Sequence, residues 1–143
     1  MIKNKFMALT LTVVLTAGML TGCGSGDKAK DKDAYRQYGI NCIENGSYDD
    51  AVDAFQKALD QSVGSVGAEE LDICYYKAKA QYLSGDVDGA IDTYTAIIDY
   101  NKDSDAYYLR GCIYFAKNDS EKGLKDFKTA LSEYDDIYEL YLG

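Results

Sequence analysis

Three stretches of the sequence align without a gap over 26 residues each: Ala34 to Leu59, Ile73 to Ile98 and Ala106 to Leu131. Their starts lie 39 and then 33 residues apart. A chain that repeats itself at this period builds a fold from stacked copies of one supersecondary unit, because a single unit cannot bury its own apolar face. Each copy carries a small residue in its first half (Gly39, Ala78, Gly111) and another twelve residues later (Ala51, Ala90, Gly123). An aromatic follows four residues on (Phe55, Tyr94, Phe127), then Ala58-Leu59, Ile97-Ile98 or Ala130-Leu131. Between the halves stand turn-forming triplets, Asn45-Gly46-Ser47, Ser84-Gly85-Asp86 and Lys117-Asn118-Asp119.

The second halves alternate at helical spacing. Tyr48, Ala51, Val52, Phe55, Ala58 and Leu59 form one apolar stripe, with Asp49, Asp50, Asp53 and Gln56 off it. The unit is therefore a helix–turn–helix pair. Small residues let the two axes approach, and the aromatic fills the space between them. The chain contains no Pro, which leaves the helices uninterrupted.

These residues resemble the tetratricopeptide repeat, whose pattern runs W-x₂-L-G-x₂-Y…A-x₃-F…P over 34 residues. The first copy matches at Tyr35, Gly39, Ala51, Phe55 and Ala58, and the third at Tyr107, Gly111, Tyr114, Phe127 and Ala130. In the second copy Cys74 and Gln81 replace the bulky opener and the tyrosine. Val63, Lys102 and Asp135 stand near the places of the closing proline. The resemblance implies an all-α solenoid over residues 33–143, with repeats at about 33–62, 70–103 and 104–136 and a partial fourth at 137–143. A glycine-containing surface loop, Gln61 to Gly67, holds the extra residues between the first two copies. Leu142-Gly143 falls where a fourth copy would place its own Leu-Gly. Repeat arrays normally close with a polar capping helix, so this apolar, aromatic stretch suggests a longer array.

Ahead of the repeats, residues 1–22 contain no acid and only Lys3 and Lys5 as charges, followed by an apolar run. That is the pattern of a secretory signal, too short and too broken by Thr and Gly for a spanning helix. It ends in Leu20-Thr21-Gly22-Cys23. This resembles the lipobox of bacterial lipoproteins, which implies cleavage before Cys23 and acylation of its sulfur. Two acyl chains anchor a protein stably to a membrane. Residues 23–32 then read as a polar, flexible tether. Cleavage removes two lysines and no acid, taking the net charge from −9 to −11. Such a balance repels phosphate backbones, so nucleic acid is not an expected partner.

The chain has no His, which excludes imidazole bases, Ser-His-Asp and Cys-His constellations and His-ligated zinc. Cys42, Cys74 and Cys112 lie singly in first helices without metal spacing and read as small buried hydrophobes, a Cys42–Cys74 disulfide being the alternative. Asp99 to Asp105 alternates acids like the start of a calcium loop. Ser104 and Arg110 occupy the Gly and Glu positions, so the segment reads as a turn with a capping Asp. The pairs Asp49-Asp50, Glu69-Glu70 and Asp135-Asp136 read as helix starts. No phosphate loop or nucleophile elbow occurs. No catalytic residue, cofactor or metal is expected.

In the resembled family the first helices line a concave face that grips protein segments. By repeat position this face takes Arg36, Ile40 and Ile43 from the first copy, Tyr75, Lys79 and Tyr82 from the second, and Tyr108, Cys112 and Phe115 from the third. Ile40 and Cys112 stand where a chaperone-type carboxylate clamp would need Asn, so that activity is not expected. The expected function is a lipid-anchored module on the extracytoplasmic face of a bacterial membrane, binding a protein or peptide through an aromatic groove. The alternatives are a passive assembly scaffold and an accessory subunit of an envelope enzyme.

Overall fold

The computed structural model describes residues 25–142 except positions 63 and 65, and side chains from 30 to 132 with the same exceptions. Six helices follow in order: α1 (Ser25–Glu44), α2 (Tyr48–Asp60), α3 (Ala68–Ser84), α4 (Val87–Asn101), α5 (Ser104–Ala116) and α6 (Ser120–Leu142). No strand occurs among the described residues. The helices form three antiparallel pairs, α1–α2, α3–α4 and α5–α6, and each pair stacks on the next through α2 against α3 and α4 against α5.

The turn triplets are where the sequence puts them. Each holds one left-handed residue, Gly46 (φ 78°), Gly85 (φ 93°) and Asn118 (φ 62°). That conformation costs least in Gly and Asn, and it ends one helix while aiming the next. Side-chain caps start the following helices. Asp86 accepts from the Gly89 amide at 3.1 Å, Asp103 from Ala106 at 3.1 Å and Asp119 from Lys122 at 3.2 Å. Asp103 is thus the expected capping residue.

All six small residues of the repeat are buried. A Cβ on Gly39 would stand 2.7 Å from the Phe55 ring, and one on Gly111 would stand 2.7 Å from Phe127. Both distances are below contact, so the pairs close only because these positions lack a side chain. Two core clusters result. One joins pair one to pair two around Phe55, Ile73 and Ala80, and the other joins pair two to pair three around Tyr94, Ile98 and Ile113. Gln81, buried where the family pattern has tyrosine, accepts from the Thr93 hydroxyl at 2.7 Å and donates to Asp86 at 3.3 Å. An amide here meets its partners within pair two and needs no water.

Three expectations are corrected. Residues 25–32, read as a flexible tether, are helical and begin α1. No Pro interrupts them, and Lys32 pairs with Glu69 and Glu70 on α3. The turn expected before a fourth copy is absent. Ser132 to Leu142 contains neither Gly nor Pro, and α6 continues through it. Asp135 and Asp136 accordingly lie within α6 and start no helix, whereas Asp49, Asp50, Glu69 and Glu70 do stand in first turns. The signal segment and Cys23 lie outside the described residues.

Candidate functional site

Tyr75, Lys79 and Tyr82 form one stripe of α3, spaced by four and then three residues, and Asp72 and Tyr76 border it on the side toward pair one. Across from it α5 presents Leu109, Cys112 and Ile113, and Tyr94 of α4 closes the floor. Together they bound a cleft of about 460 Å³. That is within the size range of ligand sites, and the lining is aromatic and aliphatic with few polar groups.

Several of these side chains are fixed. The Tyr75 ring meets the Tyr94 ring edge-on at 5.9 Å, and its hydroxyl donates to Asp103 Oδ1 at 2.5 Å. Burial and that bond to a carboxylate raise the Tyr75 pKa above the ordinary phenol value, and burial pushes Tyr94 up to about 12. Burial opposes ionisation of Asp103, yet the Tyr75 hydroxyl and the Ala106 amide hold it below the usual range. Both phenols therefore stay neutral, and the cleft wall keeps its hydrogen bond. Tyr82 (42% exposed) and the exposed Lys79 stand at the mouth. Among the described residues Lys79 has no ion-pair partner. The site thus offers stacking surface, an apolar floor and one unpaired cation.

Of the nine residues expected to line a groove, Tyr75, Lys79, Tyr82 and Cys112 do so. The others do not join them in one strip. Arg36 pairs with Asp72 and lies 5.5 Å from the Tyr76 ring centre, between pairs one and two. Ile40 and Ile43 pack against the core around Phe55. Tyr108 stacks on Phe127 at 5.3 Å, and Phe115 meets the same ring at 5.1 Å, both within pair three. Equal repeat positions line successive seams, and each seam needs the next pair as its far wall. Asp72, Tyr76, Tyr94, Leu109 and Ile113 were missed because they belong to other stripes. The α5 positions that face back toward α3 were the readable signal for the last two.

Cys42, Cys74 and Cys112 carry free thiols. Cys42 is buried and Cys74 half-buried, its pKa raised by burial, but Cys112 is exposed at the cleft and is not a core residue. No group of three or more His, Cys, Asp or Glu residues could hold a metal ion among the described residues. No described helix is long and apolar enough to cross a membrane.

Two family profiles, each described as tetratricopeptide repeat, match residues 43–111 and 104–136. No curated protein matches the sequence. Among solved structures, the chain is similar to the crystal structure of MamA, with TM-score 0.60 and 20% identity over 71% of this chain and 57% of that one. It is also similar to the TPR domain of Arabidopsis FLU, with TM-score 0.63 and 19% identity over 76% of this chain and 98% of that one. The chain thus spans a little over half the length of MamA, and at such identity the likeness concerns the fold. Repeats of this kind indicate a protein-interaction module, and the fold is generally a non-catalytic scaffold. With the repeat spacing, the three stacked helix pairs and both profiles in agreement, the chain belongs to the tetratricopeptide repeat family.

Proposed function

We propose that this protein is an envelope adaptor, held to the outer face of a bacterial membrane through an acylated Cys23, that binds an extended segment of a partner protein in the α3–α5 cleft. The observation that carries the binding reading is the cleft itself, walled by Tyr75, Tyr76, Tyr82 and Tyr94, with Lys79, which has no ion-pair partner among the described residues, at its mouth. Tyrosines give large contact area at small entropic cost and are common interface anchors. The segment that fits carries apolar or aromatic side chains with one carboxylate beside them. Apolar burial supplies the affinity and Lys79 the orientation, so binding weakens only modestly with added salt.

The test is a photo-crosslinking residue at Tyr82 in the full-length chain, expressed in native membranes. A discrete crosslinked partner is expected, lost when Tyr75→Phe is joined by Tyr94→Ala and retained with a photo-crosslinker control on outward Asp53 silent. No adduct at Tyr82 above that control rejects the cleft as the binding site. Anchoring is tested separately: Cys23→Ala should abolish lipid labelling and membrane retention. Unchanged mass and retention would reject the lipobox reading.

A further inference from the structure

Tyr94 closes the floor of the α3–α5 cleft and is 5% exposed, so its side chain is all but enclosed. Its hydroxyl has no hydrogen-bond partner among the described residues. No polar side-chain atom among them is both fully enclosed and unpaired, so this oxygen keeps an opening, and the cavity that Tyr94 lines is the cleft. The other copies show what the position needs for folding alone. Phe55 and Phe127 stand there in pairs one and three. Phe55 is fully buried and stacks on Tyr76. A bare ring therefore fills a pair, and a hydroxyl added to it is desolvated without return unless something bonds to it.

The surroundings of this oxygen define what can bond to it. Tyr75, whose ring meets that of Tyr94, has its own hydroxyl taken up by Asp103. Leu109 and Ile113 of α5 are apolar. Burial and the Cys112 thiol shift the Tyr94 phenol upward, and no charged side chain contributes. The floor therefore holds a neutral hydroxyl, able to donate and to accept, with no cation acting on it. A carboxylate brought there would lose its hydration with no charge to replace it.

We infer that the Tyr94 hydroxyl is the recognition group of the cleft, and that the partner segment inserts a tyrosine side chain whose phenol oxygen bonds to it. The inference rests on the partner reading above and names its anchor. The rings of Tyr75, Tyr76 and Tyr82 favour a flat aromatic body. The floor calls for a neutral oxygen at the far end of that body, and tyrosine is the side chain that carries one there. Phenylalanine would fill the same space and leave the Tyr94 hydroxyl stranded, so the site tells the two apart by one hydrogen bond. Any carboxylate of the segment stays at the mouth with Lys79.

The probes are N-acetyl-tyrosinamide and N-acetyl-phenylalaninamide, titrated into the full-length chain with the methyl NMR signals of Leu109 and Ile113 as readout. Apolar transfer alone favours the phenylalanine probe. The unsubstituted chain should reverse that order and bind the tyrosine probe about threefold more tightly or better. Tyr94→Phe keeps the ring that the other copies use. It should weaken the tyrosine probe about fivefold, the share of one neutral hydrogen bond, and the phenylalanine probe less than about twofold. Far-UV circular dichroism checks the fold, and should the variant lose helix, the order of the two probes on the unsubstituted chain decides alone. A phenylalanine probe bound as tightly as the tyrosine one, equal losses on both in Tyr94→Phe, or no saturable shift with either would overturn the inference. p-Cresol bound more tightly than the tyrosine probe would make the occupant a free phenol and overturn the peptide anchor. The partner reading fails separately. Tyr82 adducts with both probes bound alike reject the tyrosine anchor and keep the partner, whereas a Tyr94-dependent preference without any Tyr82 adduct rejects the partner and keeps the recognition group.

Discussion

The two seams between helix pairs use the same repeat positions and come out differently. At the first, α1 reaches α3 through charge: Lys32 pairs with Glu69 and Glu70, and Arg36 pairs with Asp72 while lying over Tyr76. Phe55 stacks on Tyr76 at 5.7 Å beneath them. At the second, the position of Arg36 is taken by Tyr75, which reaches forward to Asp103 with a neutral hydroxyl. The position of Ile40 is taken by Lys79, which pairs with nothing described. One seam is closed by ion pairs over a filled aromatic layer, and the other is left as a cleft with its polar bond at one end. A repeat therefore fixes where helices lie, and single substitutions at equal positions decide which seam has room for a ligand.

The strongest way to break the second seam is Asp126→Ala. Arg110 donates twice to Asp126, at 2.8 and 2.9 Å, and once to Thr95 of α4 at 2.8 Å, tying α5 to both neighbours. Its side chain is 14% exposed and that of Asp126 is 6%. Removing one partner strands the other charge, a loss of about 3–5 kcal/mol. Hydrogen exchange should show α5 and α6 opening first while α1–α3 keep their protection, since repeats couple mainly to neighbours. Uniform loss of protection would show that the seams do not act separately. Next in size is Ala90→Leu, at a fully buried contact inside pair two, the pair both seams share. Overpacking there should cost about 1–3 kcal/mol in a chemical melt, and Asp53→Leu on the outer side of α2 should change little.

The elements were legible because their signals are local or strictly repeated. Gly39, Ala78 and Gly111 mark closest approach, and Gly46, Gly85 and Asn118 mark the turns; both depend on residue size or backbone freedom alone. The α6 continuation was misread because a Leu-Gly match was weighed above the absence of any breaker between Leu131 and Leu142. Within the site, Tyr75, Lys79 and Tyr82 were legible as a stripe on one helix. Leu109, Ile113 and Tyr94 were not, because a cleft wall is defined by what lies opposite, and that depends on how far one pair rotates on the next. The Arg36–Asp72 and Tyr75–Asp103 bonds join residues from different copies, which no spacing within a copy reveals.

Smaller effects sharpen the contrast between the seams. Tyr75→Phe keeps the ring against Tyr94 and removes only the bond to Asp103, which retains the Ala106 amide and Asn101. The expected loss is about 1 kcal/mol. Arg36→Ala breaks a pair whose side chains are 30% and 44% exposed, and should cost less than about 1 kcal/mol, most of it in moderate salt already screened. The two changes should add within error, because they touch different seams. Strong non-additivity in the double variant would show that pair two transmits strain from one seam to the other.

The last effect is in pH, where the acid and alkaline limbs rest on different residues. The Lys32 ammonium and the Gly67 amide, against a smaller opposing effect of burial, hold Glu70 at about 2, below its ordinary 4.5. A lowered folded-state pKa gives stability that is complete above about 4.5 and lost as pH falls through about 2. Tyr94 is raised by burial from 10.0 to about 12, so its contribution is complete below pH 10 and lost as pH rises through 12. Lys32, raised above 10.5 by Glu69 and Glu70, adds an alkaline loss at the first seam. Variants separate these effects. Glu70→Gln should flatten the acid limb of the stability profile and reduce the Lys32 share of the alkaline one, and Tyr94→Phe should flatten part of the alkaline limb and leave the acid one unchanged. Chemical melts of the three chains from pH 2 to 11 read both limbs. If Glu70→Gln leaves the acid limb as steep as before, the ion pairs of the first seam do not bear on its stability, and the aromatic stack of Phe55 on Tyr76 holds that seam without them.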